Sequence, residues 1–169
     1  MLKYILLFLL SVLTLFGASE TKFPSHWKEF SVVDTPFSTV VGNIPSCDVD
    51  VSDMPPIYQE TVAIYCSATS KGAGDVEILV NDMAKRSYAK RDGSYPNGSV
   101  MILHLKSLKT LFVTSYKNNK PYYGIYTEKG KDISSTVGSG FNPHDCRTCH
   151  TGYGAFCLNG QCGTLKKDD

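Results

Sequence analysis

The chain has 169 residues, and its 17 Lys and Arg against 16 Asp and Glu give a formal charge of +1. No basic stripe runs along the chain to suggest nucleic acid, and no acidic tail is visible, so the charge gives no sign of a partner. A hydrophobic share of 42% is enough for one domain with its own core, and nothing in the chain reads as an internal repeat or a dividing linker.

The chain opens with Lys3 and an apolar run from Ile5 to Phe16, and closes that run with the small residues Gly17-Ala18-Ser19. One positive charge, an apolar stretch and small residues predict a secretory signal peptide over residues 1–19, cut near Ala18 or Ser19. The run is short for a membrane span of about 20 residues. Residues 20–169 are expected to form a single exported domain, periplasmic in a bacterium, with balanced charge once Lys3 is gone.

Phe23-Pro24-Ser25 predicts a short helix capped by Ser25, with Trp27 and Phe30 on one side. Val32, Val33, Val40 and Val41 predict strand on either side of Thr35-Pro36. Residues 42–60, rich in Asp, Pro and Ser, read as a long surface excursion. Thr61 to Cys66 is expected to be a strand, Lys71 to Asp75 a turn, and Val76 to Val80 a second strand. Asp82 to Arg91 predicts a helix capped by Asn81 or Asp82, and Gly93 stops it. Tyr95-Pro96-Asn97-Gly98 signals a turn, followed by a strand over 99–105. Thr110 to Tyr116 and Tyr122 to Thr127, joined by Lys117-Asn118-Asn119-Lys120-Pro121, predict a hairpin. The pattern is α+β and sheet-rich: an antiparallel β-sheet with a few short helices.

Gly- and Ser-rich residues 129–140 lead to Cys146-Arg147-Thr148-Cys149-His150. C-x-x-C-H is the attachment signature of a c-type haem. The two thiols add to the vinyl groups of one haem, and the adjacent His supplies a nitrogen to the iron. The expectation is one haem c, covalent through Cys146 and Cys149, with His150 as metal ligand. No Met follows His150, so the ordinary His/Met arrangement is not expected. Two other chemistries fit the same residues: a zinc site completed by Cys157 or Cys162, and a thioredoxin-like redox pair, whose usual place after an early strand this motif does not share. A structural cysteine pair beside an incidental His is the third alternative. Cys47, Cys66, Cys157 and Cys162 suggest disulfides in an exported chain. Of three pairings, the local Cys157–Cys162 bridge would leave Cys47 to join Cys66.

A Pro–aromatic opening at Phe23 to Phe30, the block Val76 to Leu105 with Gly93, Gly98 and Val100, and the C-terminal haem motif together resemble the cytochrome P-460 / cytochrome c′-beta family. The three blocks cover under half of the exported part, and residues 43–75 and the tail depart from it. The resemblance implies a haem packed on one face of an antiparallel sheet, a homodimer, and His150 as proximal ligand of an iron whose other side is open. The P-460 members carry a Lys cross-linked to the haem and oxidise hydroxylamine; the c′-beta members lack it and bind nitric oxide or carbon monoxide. Here the position of that Lys is Leu103.

Strand alternation puts Met101, Leu103 and Leu105 on one face and Val100, Ile102 and His104 on the other. Met101 and Leu103 are therefore expected to line the haem, with His104 turned away and Lys106 out of phase. Phe112, Tyr122, Tyr123, Tyr126 and Phe141 are available to cap the pocket, and His144 reads as a surface residue or a proton donor near the haem. The expected function is a monohaem cytochrome that binds a small gaseous or nitrogenous ligand such as nitric oxide, for scavenging or sensing, with a redox partner protein. One alternative is an electron-transfer cytochrome with a six-coordinate haem, its sixth ligand drawn from Met54, Met83, Met101, His26, His104 or His144. A further alternative is a P-460-type hydroxylamine-oxidising enzyme.

Overall fold

The computed structural model describes residues 18–33, 46–54, 56–68, 76–90, 94–134, 141–152, 157–158 and 161–162. The signal segment to Gly17 and the Val40-Val41 strand lie outside the described residues. Five strands form one antiparallel sheet in sequence order: β1 (Ser31–Val33), β2 (Val76–Val80), β3 (Val100–Leu105), β4 (Thr110–Lys117) and β5 (Lys120–Thr127). The helices are α1 (Pro56–Ala68), α2 (Asp82–Lys90) and α3 (Pro143–Gly152). A separate ribbon of β6 (Cys157–Leu158) and β7 (Gln161–Cys162) sets Cys157 opposite Cys162 in backbone register. The expected α+β, sheet-rich class is the observed one.

Local chemistry explains most of these elements. Gly98 has φ +85° at the third position of the turn whose Ser99 amide donates to Pro96 O at 3.0 Å, a conformation that favours Gly. Asn118 and Asn119 both lie at positive φ and make the two-residue turn that matches the twist of β4 and β5. Asn81 caps α2 through its Oδ1, which accepts from Ala84 N at 3.1 Å. The same oxygen accepts from Val100 N at 3.0 Å, so the cap also pins α2 to β3.

Two expectations are corrected. Thr61 to Cys66 is helix, not strand, and residues 56–60 of the expected excursion belong to the same helix. Pro56 suits the first helical position, and Val62 and Cys66, four residues apart, turn one stripe toward β2 and β3. A Cys47–Cys66 disulfide fastens that helix to the preceding loop. The short helix expected in Phe23 to Phe30 is present as a single 3-10 turn, Trp27–Glu29, but its cap position is His26 and not Ser25. Trp27 instead buries itself against the sheet, and its Nε1 donates to Glu128 O at 3.3 Å.

The sheet has two unlike faces. Leu79, Ile102, Leu111, Val113 and Tyr126 pack on one side under Trp27, Phe23 and Phe30. Ile102 and Leu111 are completely buried there. The other face carries two helix-covered clusters. Val62 of α1 sits with Val76 and Leu105, and Ala84 and Tyr88 of α2 sit with Val80, Met101 and Tyr116. Between them, Ile78, Leu103, Phe112 and Thr114 are only half-buried, although Leu103 is on the central strand.

The free edge of β5 is covered by the segment before Phe23. Glu20 N donates to Tyr123 O at 2.7 Å, Tyr123 N to Glu20 Oε2 at 3.1 Å, and Ile125 N to Ser19 Oγ at 2.9 Å. Ser19 N is held by Asp132 Oδ2 at 2.9 Å. Covering the outward amides removes an edge on which another chain could pair.

Candidate haem site

The motif lies on α3. Pro143 takes the first helical position, and Asn142 Oδ1 accepts from Asp145 N at 3.0 Å to cap the start. Just before it, Phe141 meets Phe112 edge-on, with ring centroids 5.4 Å apart, which fixes the helix start over the half-buried part of the sheet. Cys146, Cys149 and His150 are spaced i, i+3 and i+4, so they share one helix face. Neither thiol is bridged.

The His150 ring stacks on Tyr123 of β5, with centroids 5.5 Å apart and planes 27° apart. Tyr123 pairs in register with Thr114, and Thr114 with Met101. In the next row, Leu103 pairs with Phe112 and Phe112 with Ile125. His150, Met101 and Leu103 are thus brought to the same face of the sheet. Met101 is sealed in the α2 cluster, whereas Leu103 stays half-open.

Burial sets the electrostatics. His150 is pushed down to about 4, which leaves a neutral imidazole at neutral pH, and its buried Nδ1 has no hydrogen-bond partner among the described residues. The Cys146 thiol is pushed up to about 12, first by burial and then by the charges of Asp145 and Cys149. Cys149 is also raised, by burial and then by Glu60 of α1. Both groups stand as thiols, unlike the depressed thiolates of a thioredoxin-like pair. Among the described residues no three His, Cys, Asp or Glu side chains converge as a metal-ion cluster. The zinc alternative called on Cys157 or Cys162, whose side chains lie outside the described residues.

These residues fit a c-type haem. Two unbridged thiols and a neutral imidazole line one helix face, an orphaned buried ring nitrogen lies within the same helix, and an apolar strip of sheet nearby is left half-covered. Cys146 and Cys149 would hold the macrocycle and His150 the iron.

The other candidates separate cleanly. His104 is on the opposite face, with Nδ1 2.9 Å from Glu77 Oε1 and Nε2 2.8 Å from Glu128 Oε1, and its ring edge-on to Trp27. Lys106 reaches Glu77 Oε2 at 3.1 Å, on that same far side. His26 is exposed beside Glu29 on the Trp27 turn, Met83 is exposed on α2, and His144 is exposed beside Asp145. Met54 is half-buried in the loop before α1, its carbonyl taken by Gln59 at 2.7 Å. Of the aromatic candidates, Phe112 and Tyr123 point to the motif side and Phe141 packs on Phe112. Tyr122 and Tyr126 alternate to the other face, so they are not available as caps.

Two features of the site were not anticipated. One is α1, whose Glu60 acts on Cys149 and whose Val62 and Cys66 pack beside Leu103 and Phe112. The other is Arg147, inside the motif, whose Nη2 bonds Glu20 Oε2 at 2.6 Å while its guanidinium lies 5.3 Å from the Tyr123 ring centre. No helix of the described residues is long and apolar enough to cross a membrane. Compared with protein-family models, curated proteins and solved structures, the chain gives no match in any of the three, so the family resemblance stands on its motif blocks alone.

Proposed function

We propose that this chain is an exported monohaem c-type cytochrome that binds a small ligand such as nitric oxide at an open iron site. The observation that carries the reading is the placement of Cys146, Cys149 and His150 on one face of α3, beside a half-buried apolar strip at the sheet centre. When bound, the haem supplies an iron able to take a diatomic ligand and to change oxidation state.

The chain's own residues prepare that site in three ways. Burial keeps the His150 imidazole neutral, so a ring nitrogen has a lone pair to offer. Stacking on Tyr123 orients the ring. Ile78, Leu103 and Phe112 offer only hydrocarbon, with the Thr114 hydroxyl in the neighbouring row. Among the described residues that wall brings no charged donor, which favours nitric oxide and carbon monoxide over dioxygen, whose bound form is polar and gains from a hydrogen bond. Leu103 in place of a cross-linking Lys, and Lys106 held by Glu77, both weigh against hydroxylamine oxidation. His104 and His26 sit on the far face, which weighs against either as sixth ligand of an electron carrier.

The test is expression with the leader in a host that attaches haem c. One haem per chain is expected, held by two thioethers, with a high-spin ferrous spectrum that changes on adding carbon monoxide. Cys146→Ser with Cys149→Ser should abolish covalent haem. A haem-free exported chain, or a low-spin spectrum indifferent to carbon monoxide, would falsify the reading.

A further inference from the structure

The residue between the two motif cysteines that touches the rest of the fold is Arg147. Its Nη1 donates to Pro121 O at 3.3 Å and its Nη2 to Glu20 Oε2 at 2.6 Å. Its guanidinium lies on the Tyr123 ring, and that ring stacks on His150. Tyr123 is therefore placed against two groups of α3: the Arg147 cation and the His150 imidazole. Glu20 closes the set, because its one oxygen Oε2 accepts from both Arg147 and Tyr123 N while its amide donates to Tyr123 O.

Charge and geometry make this arrangement directional. A guanidinium is planar, and its bonds to a carboxylate and a carbonyl fix the plane as well as the position. Removing the carboxylate leaves Arg147 with the Pro121 carbonyl and the ring, and frees it to leave the ring for water. The neighbouring backbone is built for the N-terminal segment. A Cβ on Gly124 would come within 2.8 Å of Thr21 Cγ2 and of Tyr126 Cε2, and within 3.0 Å of Ser19 Cβ.

We propose that Glu20 is a positioning residue for His150, acting through Arg147 and the ring of Tyr123. The first residues of the exported domain thus belong to the haem's proximal architecture, and do more than cover the edge of β5. The proposal rests on His150 being the proximal ligand of a bound haem, as argued above.

The test uses the full-length exported protein carrying its haem, with Glu20→Gln, Glu20→Asp and Arg147→Lys. Glu20→Gln preserves the backbone pairing with Tyr123 but removes the charge. Three quantities are read: haem per chain, thermal midpoint, and the iron–histidine stretching band of the ferrous form by resonance Raman. The expected result is wild-type haem content throughout, a shifted and broadened band in Glu20→Gln and Arg147→Lys, and a band restored toward wild type in Glu20→Asp. Should Glu20→Gln fail to accumulate, Arg147→Lys tests the link between Glu20 and the Tyr123 ring, and an unmoved band there would overturn the proposal. A lowered midpoint with an unmoved band would make Glu20 purely a fold-closing residue and overturn the proposal alone. A wild-type chain without haem would overturn both the proposal and the reading beneath it.

Discussion

The two faces of the sheet use the same strands for different ends. On one face Leu79, Ile102, Leu111 and Val113 are sealed under Trp27, and even the buried polar residue there, His104, has both ring nitrogens met by carboxylates. On the other, Leu103 and Phe112 remain half-open at the centre, and His150 buries a ring nitrogen with no partner. Satisfied groups and closed packing stabilise a fold. Uncovered apolar surface and an orphaned polar atom cost stability, and such costs gather where a ligand is to be received. Alternation along β3 alone divides the roles, since Ile102 and Leu103 are neighbours in sequence.

The contrast can be broken by paired substitutions. Ile102→Ala should cost about 2–5 kcal/mol in urea unfolding of the haem-free chain, because it empties a fully enclosed site. Leu103→Ala in the same chain should cost clearly less, below about 2 kcal/mol, since part of that side chain already meets solvent. Equal costs would mean that the second face is as closed as the first.

Replacing Cys47 and Cys66 together should cost about 3 kcal/mol, for a bridge across a separation of 19 residues. Because α1 packs beside Leu103 and Phe112, the same variant should expose the motif-bearing face, read as increased binding of a hydrophobic dye. An unchanged dye signal would detach α1 from the site. Gly124→Ala should cost about 1–3 kcal/mol by overpacking against Thr21, Ser19 and the Tyr126 ring. Faster hydrogen exchange at Tyr123 and Ile125 would mark the displaced segment, and full protection would show that it accommodates the methyl.

The smallest effect belongs to the sealed face. Burial alone would raise the Glu77 carboxyl, but hydrogen bonds from His104 and Lys106, with their charges, outweigh it and hold the group below the ordinary glutamate range. A depressed carboxyl contributes stability above its unfolded pKa and loses it as pH falls through the folded one. Stability measured on the acid side should therefore drop more steeply in the wild type than in Glu77→Gln. Parallel acid limbs would remove Glu77 from the account.

What was legible in the sequence follows from how local each signal is. The hairpin of β4 and β5, the turn at Gly98, the α2 cap at Asn81 and the facing of Leu103 and His104 are set by residues a few positions apart. Thr61-Val62-Ala63-Ile64-Tyr65 reads as strand because β-branched and aromatic residues favour it. Tertiary packing overrides that preference, since Val62 and Cys66 lie against Val76 and Leu105, which are remote in sequence. The C-x-x-C-H string could be read because its three groups sit within five residues. The contact of Arg147 with Glu20 could not, because it joins residues 127 apart and no spacing rule spans that distance.

That separation also orders events in time. Ser19 and Glu20 are made early, and their partners Tyr123, Ile125 and Arg147 come more than a hundred residues later. Loop closure over such a length is entropically expensive and slow, so non-local contacts of this kind tend to form last. The β-sheet can assemble from its consecutive hairpins while both the amino-terminal segment and α3 are still loose. A newly made chain would then pass through a stage with its strands paired, one edge bare and α3 not yet seated on Tyr123. Closure of that edge, and with it the seating of α3 on Tyr123, would then be the last step.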